Sequence, residues 1–274
     1  MVETLPSELL HSVLAHLGLD QRPPTVPFLD ELLDAYGRCV PWESISRRVR
    51  CTEVSEVAKR PRFAEEFWRV AVRHGSGGTC FESNYAFFAL LRGLGFEGYL
   101  TINDMNQSRG CHTAIVILLD QQKWLVDAGF PVLAAVPLNP SETMHKASPY
   151  ETHRVSPEPH GTFLVERLGH PKPYMFTLRD QPVDDNDYRE ATRQDYGPDG
   201  LFLSSVIIRQ TVNGRITRFD GDEQPPLIQV LHKGTRTDWP IKGDIAIAIT
   251  QWFGIDQQMT RRSLESLQRG ANLA

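Results

Sequence analysis

The residue with the clearest capacity for chemistry is Cys80, which follows two consecutive glycines in the segment Gly77-Gly78-Thr79-Cys80-Phe81-Glu82. Thr79 and Glu82 match a capping box, with Thr79 as N-cap and Glu82 at the third helical position. This pattern predicts that Cys80 begins a helix, where unpaired N–H groups and the helix dipole favour a thiolate and could hold an oxyanion. The glycines permit a backbone and a close substrate approach that a Cβ atom would prevent. The segment therefore predicts either a nucleophile or a buried cysteine that packs at a helix start.

A thiolate needs a base and the base needs an orienting group, and His112 and Asp127 are the candidates. His112 opens an apolar, β-branched run and Asp127 closes the next run, so the two runs predict a hairpin. Any loop with an even number of residues puts both side chains on the same face. A two-residue turn at Gln121-Gln122 would nevertheless set Asp127 opposite Val116, on the order of 13 Å from His112. The turn must lie nearer Leu119-Asp120, or a bulge must intervene; the alternative is that both residues are structural.

Helical periodicity dominates the first third of the chain, and strand patterns follow it. Apolar residues recur at helical spacing in 27–36 and 63–70, and a third helix runs from Cys80 to Gly93 or Gly95. Strands are predicted at 99–102, 112–119, 124–127, 162–166, 174–178, 202–210 and 215–218, with a long surface loop at about 137–160. Helices are predicted again at 243–253 and 261–268. This order of elements is typical of the α+β class.

Composition excludes several classes of partner. The 274-residue chain is 41% hydrophobic with a net charge of −5, so it reads as globular, without the basic stripe of a nucleic-acid-binding protein. Residues 1–20 look amphipathic rather than like a signal peptide, and no stretch approaches the roughly 20 apolar residues of a membrane helix. Four cysteines without an export signal predict a reducing compartment, and hence a cytoplasmic protein.

Several segments together resemble the arylamine N-acetyltransferase family, and they follow one another in the family's order. Val40-Pro41-Trp42-Glu43-Ser44-Ile45 is similar to the family's Pro-Phe-Glu-Asn pattern, and residues 77–84 to its Gly-Gly-X-Cys-Phe-Glu-X-Asn segment. His112-Thr113-Ala114-Ile115-Val116 and Val126-Asp127-Ala128-Gly129-Phe130 resemble the segments that carry the other two members of a catalytic triad. The likeness covers roughly the first half of the chain; the second half is similar mainly in length and in Trp252-Phe253-Gly254-Ile255.

The resemblance implies a helical bundle at 1–96, an antiparallel β-barrel at 97–200 and a C-terminal α/β lid at 201–274. It implies a papain-like triad of Cys80, His112 and Asp127. It also implies ping-pong chemistry, in which acetyl-CoA acetylates the cysteine and an arylamine, hydrazine or N-hydroxyarylamine takes the acetyl group. Trp42 and Phe130 would line the acceptor pocket, no metal is expected, and the protein would be a monomer or a homodimer.

Two departures from the family concern the residues around the nucleophile. The family usually has arginine just before the glycine pair, and one such arginine pairs with the glutamate found here as Glu43. Those positions are Gly75 and Ser76 in this chain, so Glu43 needs another partner, for which Arg73 is the nearest candidate. Trp42 replaces the family's phenylalanine, and its larger ring favours small, single-ring acceptors.

Two further departures concern the acyl donor. Only 32 positions separate Cys80 from His112, and the missing residues fall where the family helps to hold CoA. Pro131 replaces a glycine and offers no N–H donor. CoA is therefore expected to bind weakly or in an altered pose, with Lys233 and Arg236 as candidate phosphate contacts or as ordinary solvated charges.

Other functions remain open from the sequence. The same thiolate could serve a hydrolase or an amide synthase similar to this family, or a related acyltransferase with a different donor. A metal-stabilised module built on Cys80, Cys111, His112 and Asp127 is a further alternative, although the chain contains no Cys-X-X-Cys or His-X-X-X-His spacing. An inactive relative is the last alternative.

Overall fold

A helical bundle forms the first third of the chain in the computed structural model, which describes residues 2–170, 172–197, 200–232 and 234–271. Its helices and one short strand are α1 (Ser7–Leu17), α2 (Val26–Cys39), β1 (Trp42–Glu43), α3 (Ile45–Glu53), α4 (Ala64–His74) and α5 (Cys80–Gly93). The Thr25 hydroxyl caps α2 by accepting the Phe28 N–H at 3.3 Å. Every residue of α5 from Cys80 to Leu91 is buried. The helix that begins with Cys80 is therefore central to the bundle core.

Eight antiparallel strands follow and form a nearly closed barrel. They are β2 (Glu97–Met105), β3 (Ser108–Leu119), β4 (Gln122–Asp127), β5 (Val132–Leu138), β6 (Met144–Ala147), β7 (Thr152–Glu158), β8 (Thr162–Leu168) and β9 (Tyr174–Arg179). Their order in the sheet is β5-β4-β3-β2-β9-β8-β7-β6, and β5 also lies beside β6. The interior is apolar, with Leu125, Val155, Val165 and Phe176 fully buried.

The last part of the chain adds helix α6 (Asp185–Asp195) and a five-stranded sheet covered by two helices. The strands are β10 (Ile207–Val212), β11 (Arg215–Asp220), β12 (Leu227–His232) and β13 (Thr235–Pro240), and the helices are α7 (Ile245–Phe253) and α8 (Gln257–Ala271). The sheet order is β1-β10-β11-β12-β13. Its first strand comes from the bundle, and there Trp42 forms an isolated bridge with Gly78. The second sheet is thereby joined to the glycines that precede Cys80.

The α+β class, with bundle, barrel and C-terminal α/β lid, is confirmed. The predicted loop at 137–160 is wrong, because β6 and β7 lie within it as an antiparallel pair, and His153 and Val155 of β7 are fully buried. The strand predicted from residue 202 begins only at Ile207, and α6, β12 and β13 were not predicted. The domain limits at residues 96 and 200 stay a prediction. In the part of the chain that the structure describes, no helix is long and apolar enough to cross a membrane.

Candidate active site

Cys80 is the first residue of α5, and it lies where the bundle meets the barrel. It is 6% exposed, and its Sγ atom lies 3.7 Å from the carbonyl oxygen of Cys111 on β3. The Thr113 hydroxyl donates to the Cys80 carbonyl at 3.0 Å. On the other side, a Cβ atom at Gly129 would lie 2.5 Å from the Cys80 Cα, so only glycine fits there. The barrel thus holds the start of α5 from two sides.

His112 and Asp127 are in direct contact. The His112 Nε2 and Asp127 Oδ2 atoms lie 2.7 Å apart, and both side chains are buried. The hairpin turn is Asp120-Gln121, between the two positions considered from the sequence, and both residues have positive φ, as a primed two-residue turn requires. Continuing the register sets Asp127 opposite Ala114, one diagonal step from His112. Side chains can reach across that diagonal, so the two need not be directly opposed.

The Asp127 carboxylate is fully engaged. Its Oδ1 atom accepts hydrogen bonds from Asn84 Nδ2 at 3.0 Å, from the Gly129 N–H at 2.7 Å and from the Phe130 N–H at 2.9 Å. Its Oδ2 atom faces His112. The carboxylate therefore has one defined orientation, in which Oδ1 accepts the three N–H donors and Oδ2 contacts the imidazole of His112.

Asn84 is the positioning residue that the sequence analysis did not single out. Its Nδ2 also donates to the Thr113 carbonyl at 2.7 Å, and its Oδ1 accepts the Ala128 N–H at 2.8 Å. The signal was available, because Asn84 follows Cys80 by four residues and the two must share a helix face. Helix α5 thus carries both Cys80 and the amide that donates a hydrogen bond to Asp127.

The electrostatics of the site favour a protonated thiol unless a base is present. Burial raises the pKa of the Cys80 thiol well above its ordinary value, and the Asp195 and Asp127 carboxylates raise it further. A thiol in this setting needs an adjacent group to take its proton. The His112 ring uses Nε2 for Asp127, which leaves Nδ1 for that exchange.

A buried ion pair replaces the predicted capping box. Thr79 is the N-cap of α5 but makes no side-chain cap hydrogen bond, and Glu82 instead pairs with Arg62 at 2.6 Å. The Tyr196 hydroxyl donates to the same carboxylate at 2.7 Å. The capping box is therefore wrong, because leaving a fully buried guanidinium without a carboxylate costs more than an unmade cap. Arg62 Nη2 also donates to the Gly77 carbonyl at 2.7 Å, which steadies the loop before Cys80.

The predicted pairing of Glu43 with Arg73 is also wrong. Glu43 is fully buried, and it accepts the Ser46 N–H at 2.8 Å and the Gly77 N–H at 3.1 Å. Arg62 acts on it through Ser46, because Arg62 Nη2 donates to the Ser46 hydroxyl at 2.7 Å and that hydroxyl donates to Glu43 Oε1. Burial raises the pKa of Glu43, and Arg62 opposes that rise.

The two aromatic residues predicted to line the acceptor pocket come from different parts of the fold, Trp42 from β1 and Phe130 from the segment between β4 and β5. Trp42 is half-buried, next to Gly78, and meets Phe202 edge-on with ring centroids 4.9 Å apart. Phe130 follows the Asp127 loop, and its ring lies 6.3 Å from the His112 ring. Their role toward an acceptor stays a prediction.

Of the two residues predicted to contact CoA, the structure describes only Arg236. Lys233 lies outside the described residues. Arg236 is exposed on β13, the edge strand farthest from β1, and pairs with Asp238 at 2.6 Å and with Glu223 at 3.9 Å. Its role toward CoA also stays a prediction. Within the described ranges, no group of three or more His, Cys, Asp and Glu side chains could hold a metal ion.

Comparisons with known proteins agree with this architecture. The family model described as N-acetyltransferase matches residues 25–222. Arylamine N-acetyltransferase 1 of Bos taurus is 28% identical over 109 residues, which are 37% of this chain and 35% of that protein. The uncharacterized acetyltransferase YvcN of Bacillus subtilis (strain 168) is 25% identical over 225 residues, 77% of this chain and 85% of that one. The structure of Mycobacterium marinum arylamine N-acetyltransferase in complex with CoA superposes with a TM-score of 0.77 at 16% identity, over 93% of this chain and 98% of that one.

The bundle, barrel and lid form the same fold as solved arylamine N-acetyltransferases, and the family match over residues 25–222 identifies the protein as an acyltransferase. The chain belongs to the arylamine N-acetyltransferase family of N-acetyltransferases.

Proposed function

We propose that this protein transfers an acetyl group from acetyl-CoA, through a thioester on Cys80, to an arylamine, hydrazine or N-hydroxyarylamine. The observation that carries the proposal is the 2.7 Å contact between His112 Nε2 and Asp127 Oδ2, beside a buried cysteine at a helix start. A buried thiol with a raised pKa stays protonated at neutral pH. It becomes a nucleophile only if a base removes its proton, and the imidazole fixed by Asp127 is that base.

In the first half-reaction, Cys80 Sγ attacks the thioester carbonyl of acetyl-CoA while His112 Nδ1 takes the thiol proton. A thiolate–imidazolium pair is thereby formed, which the Asp127 carboxylate stabilises through Nε2–H. The oxyanion is held by free N–H groups of the first turn of α5, which Thr79 does not cap. Collapse of this intermediate breaks the bond to the CoA sulfur, and the proton on His112 goes to the departing thiolate.

In the second half-reaction, the acceptor nitrogen or hydroxylamine oxygen attacks the acetyl-cysteine. His112 takes the proton from the attacking group and returns it to Cys80 as the thiol leaves. Trp42 and Phe130 would form the aromatic walls of the acceptor site, where stacking contributes roughly 0.5–1.5 kcal/mol beyond area burial. A CoA complex of the related Mycobacterium marinum enzyme supports CoA as the donor. The cytoplasmic location and the monomer or homodimer state stay predictions.

The test is the intact-protein mass after incubation with acetyl-CoA. We expect one acetyl group on the wild-type protein, none on Cys80→Ala, and one on Cys111→Ser, which removes the neighbouring thiol as a matched control. Release of CoA should then become continuous only when an amine is added. Acetylation that persists in Cys80→Ala would refute the proposal, and continuous CoA release without amine would identify a hydrolase instead.

A further inference from the structure

Two arginines lie directly opposite each other on the inner face of the five-stranded sheet. The register pairs Arg209 on β10 with Arg218 on β11, and it pairs Arg209 with Trp42 on β1. Because paired residues share a face, all three side chains lie on one side, away from the helices α7 and α8, which cover Ile208 on the other. Like charges in directly opposed positions destabilise a sheet, so this pair needs a compensating group.

A third arginine reaches the same place from the barrel. Arg167 on β8 is paired across the strands with His153 on β7. Its guanidinium carbon lies 5.5 Å from the centre of the Phe130 ring, and that of Arg209 lies 5.4 Å from the same centre. Phe130 therefore stands between two guanidinium groups, and its ring also meets His112. The arginine cluster is one aromatic ring away from the candidate base.

The negative charge near this cluster is incomplete. Arg209 pairs with Glu151 at 3.1 Å and Arg218 with Asp220 at 2.5 Å. Arg167 has no carboxylate within salt-bridge distance among residues 2–170, 172–197, 200–232 and 234–271, and its Nε donates only to the Lys172 carbonyl at 3.3 Å. The pKa of Arg167 is lowered to about 10, by burial first and then by the charge of Arg209. A half-buried cation beside another cation destabilises the ligand-free protein, because the two charges repel each other.

His153 adds an unsatisfied polar group to the same cluster. It is fully buried, and neither ring nitrogen has a hydrogen-bond partner among the described residues; Nε2 lies 3.8 Å from Glu151 Oε1, beyond hydrogen-bond distance. Its pKa is lowered to about 4; burial is the main cause, Glu151 opposes it, and Arg209 and Arg167 add to it. The ring is therefore neutral at pH 7, with one N–H to donate. Buried polar groups without partners are uncommon in proteins and often mark a site that a ligand completes.

We propose that Arg167, Arg209 and His153 form a binding site for a carboxylate carried by a substrate that reacts at Cys80. Guanidinium groups bind carboxylates through two parallel hydrogen bonds, and a carboxylate here would neutralise the surplus charge. The phosphates of CoA are separated from its sulfur by the whole pantetheine arm, whereas the cluster is only one ring away from His112. The carboxylate belongs either to the aromatic acceptor, stacked on Phe130, or to the acyl group of the donor. This inference rests on the proposed function for the identity of the reacting atoms.

The experiment is calorimetric binding to the Cys80→Ala protein, which needs no turnover. One arm compares 4-aminobenzoate with its neutral isostere 4-aminobenzamide, and the other compares succinyl-CoA with acetyl-CoA. We expect the carboxylated member of one pair to bind at least about tenfold more tightly, as charge-assisted bonds in a half-buried site provide. Arg167→Gln should abolish that preference and leave the neutral member within about twofold, while Arg215→Gln, an exposed arginine on the same sheet, should change nothing.

The pair that shows the preference identifies the source of the carboxylate. If neither pair shows one, or if Arg167→Gln weakens carboxylated and neutral ligands equally, the proposal is overturned. Equal weakening of both CoA thioesters alone would assign the cluster to the phosphates and would also overturn it. Arg167→Lys keeps the positive charge but loses the two parallel N–H donors of the guanidinium group, so it should retain part of the preference. It is the variant to use if Arg167→Gln does not fold. Arg167-dependent carboxylate binding in a protein that never becomes acetylated would leave this site standing while the proposed function fails.

Discussion

Replacing Asp127 by asparagine tests the proposed mechanism most directly, because the structure dictates which way the new amide must face. The Oδ1 atom of Asp127 accepts three N–H donors, from Asn84, Gly129 and Phe130. An NH₂ group in that position would confront three donors, so it must occupy the Oδ2 position beside His112. It would then donate to Nε2 and force the imidazole proton onto Nδ1.

An imidazole with its proton on Nδ1 cannot accept the thiol proton of Cys80. The raised pKa of the buried thiol makes this loss severe, because little thiolate forms without the base. We expect the rate of Cys80 acetylation to fall on the order of 10⁴-fold, which corresponds to about 5 kcal/mol of transition-state free energy. The free energy of unfolding should fall by only about 1–3 kcal/mol, since one charge-assisted hydrogen bond is weakened and the shape is kept.

The assay is single-turnover acetylation with acetyl-CoA, followed by quenched-flow mass spectrometry at pH 7. The matched control is Asp120→Asn, in the hairpin turn that links the same two strands, which should acetylate at the wild-type rate. Acetylation of Asp127→Asn within tenfold of wild type, in a protein that unfolds at its usual temperature, would refute the assignment of His112 as an oriented base.

Three further outcomes are expected. Gly129→Ala places a Cβ atom 2.5 Å from Cys80 Cα and 2.6 Å from Asn84 Nδ2. The rate of acetylation should fall about 100-fold, and the free energy of unfolding, measured in urea, should fall by about 1–3 kcal/mol. A fully active, stable variant would contradict the close packing. Arg62→Met leaves the buried Glu82 carboxylate unpaired and should cost about 3–5 kcal/mol of unfolding free energy, so a midpoint unchanged from wild type would show that the pair carries no weight. Trp42→Phe should raise kcat/KM for fused-ring over single-ring amines about tenfold, and a wild-type preference for fused rings that the substitution leaves unchanged would remove Trp42 from the acceptor site.

The sequence alone was sufficient for the local features of the site. The capping pattern at Thr79 and Glu82 predicted that Cys80 begins a helix, and α5 does begin at Cys80, although the capping hydrogen bonds themselves are absent. The two-residue side-chain period of strands placed His112 and Asp127 on one face of a hairpin, and they do meet there. Both features depend only on residues that are close together in the chain.

The partners of these residues were decided by the tertiary structure. The capping pattern at Thr79 and Glu82 was overridden because Arg62, twenty positions before Glu82, is buried against its carboxylate. The loop expected at 137–160 contains two strands instead, because β7 pairs with β8 and β6 and buries Val155 in the barrel interior while most of its other residues are polar.

The arginine cluster is the clearest case of a feature that no sequence pattern marks. Arg167 and Arg209 belong to different sheets, yet both reach the ring of Phe130. The sequence shows which residues are charged but not which charges are neighbours. The free energy of a buried cation depends on those neighbours, which the fold determines. The position of the candidate nucleophile could therefore be predicted from local spacing, whereas the arginine cluster near the candidate site depends on the packing of the barrel against the lid.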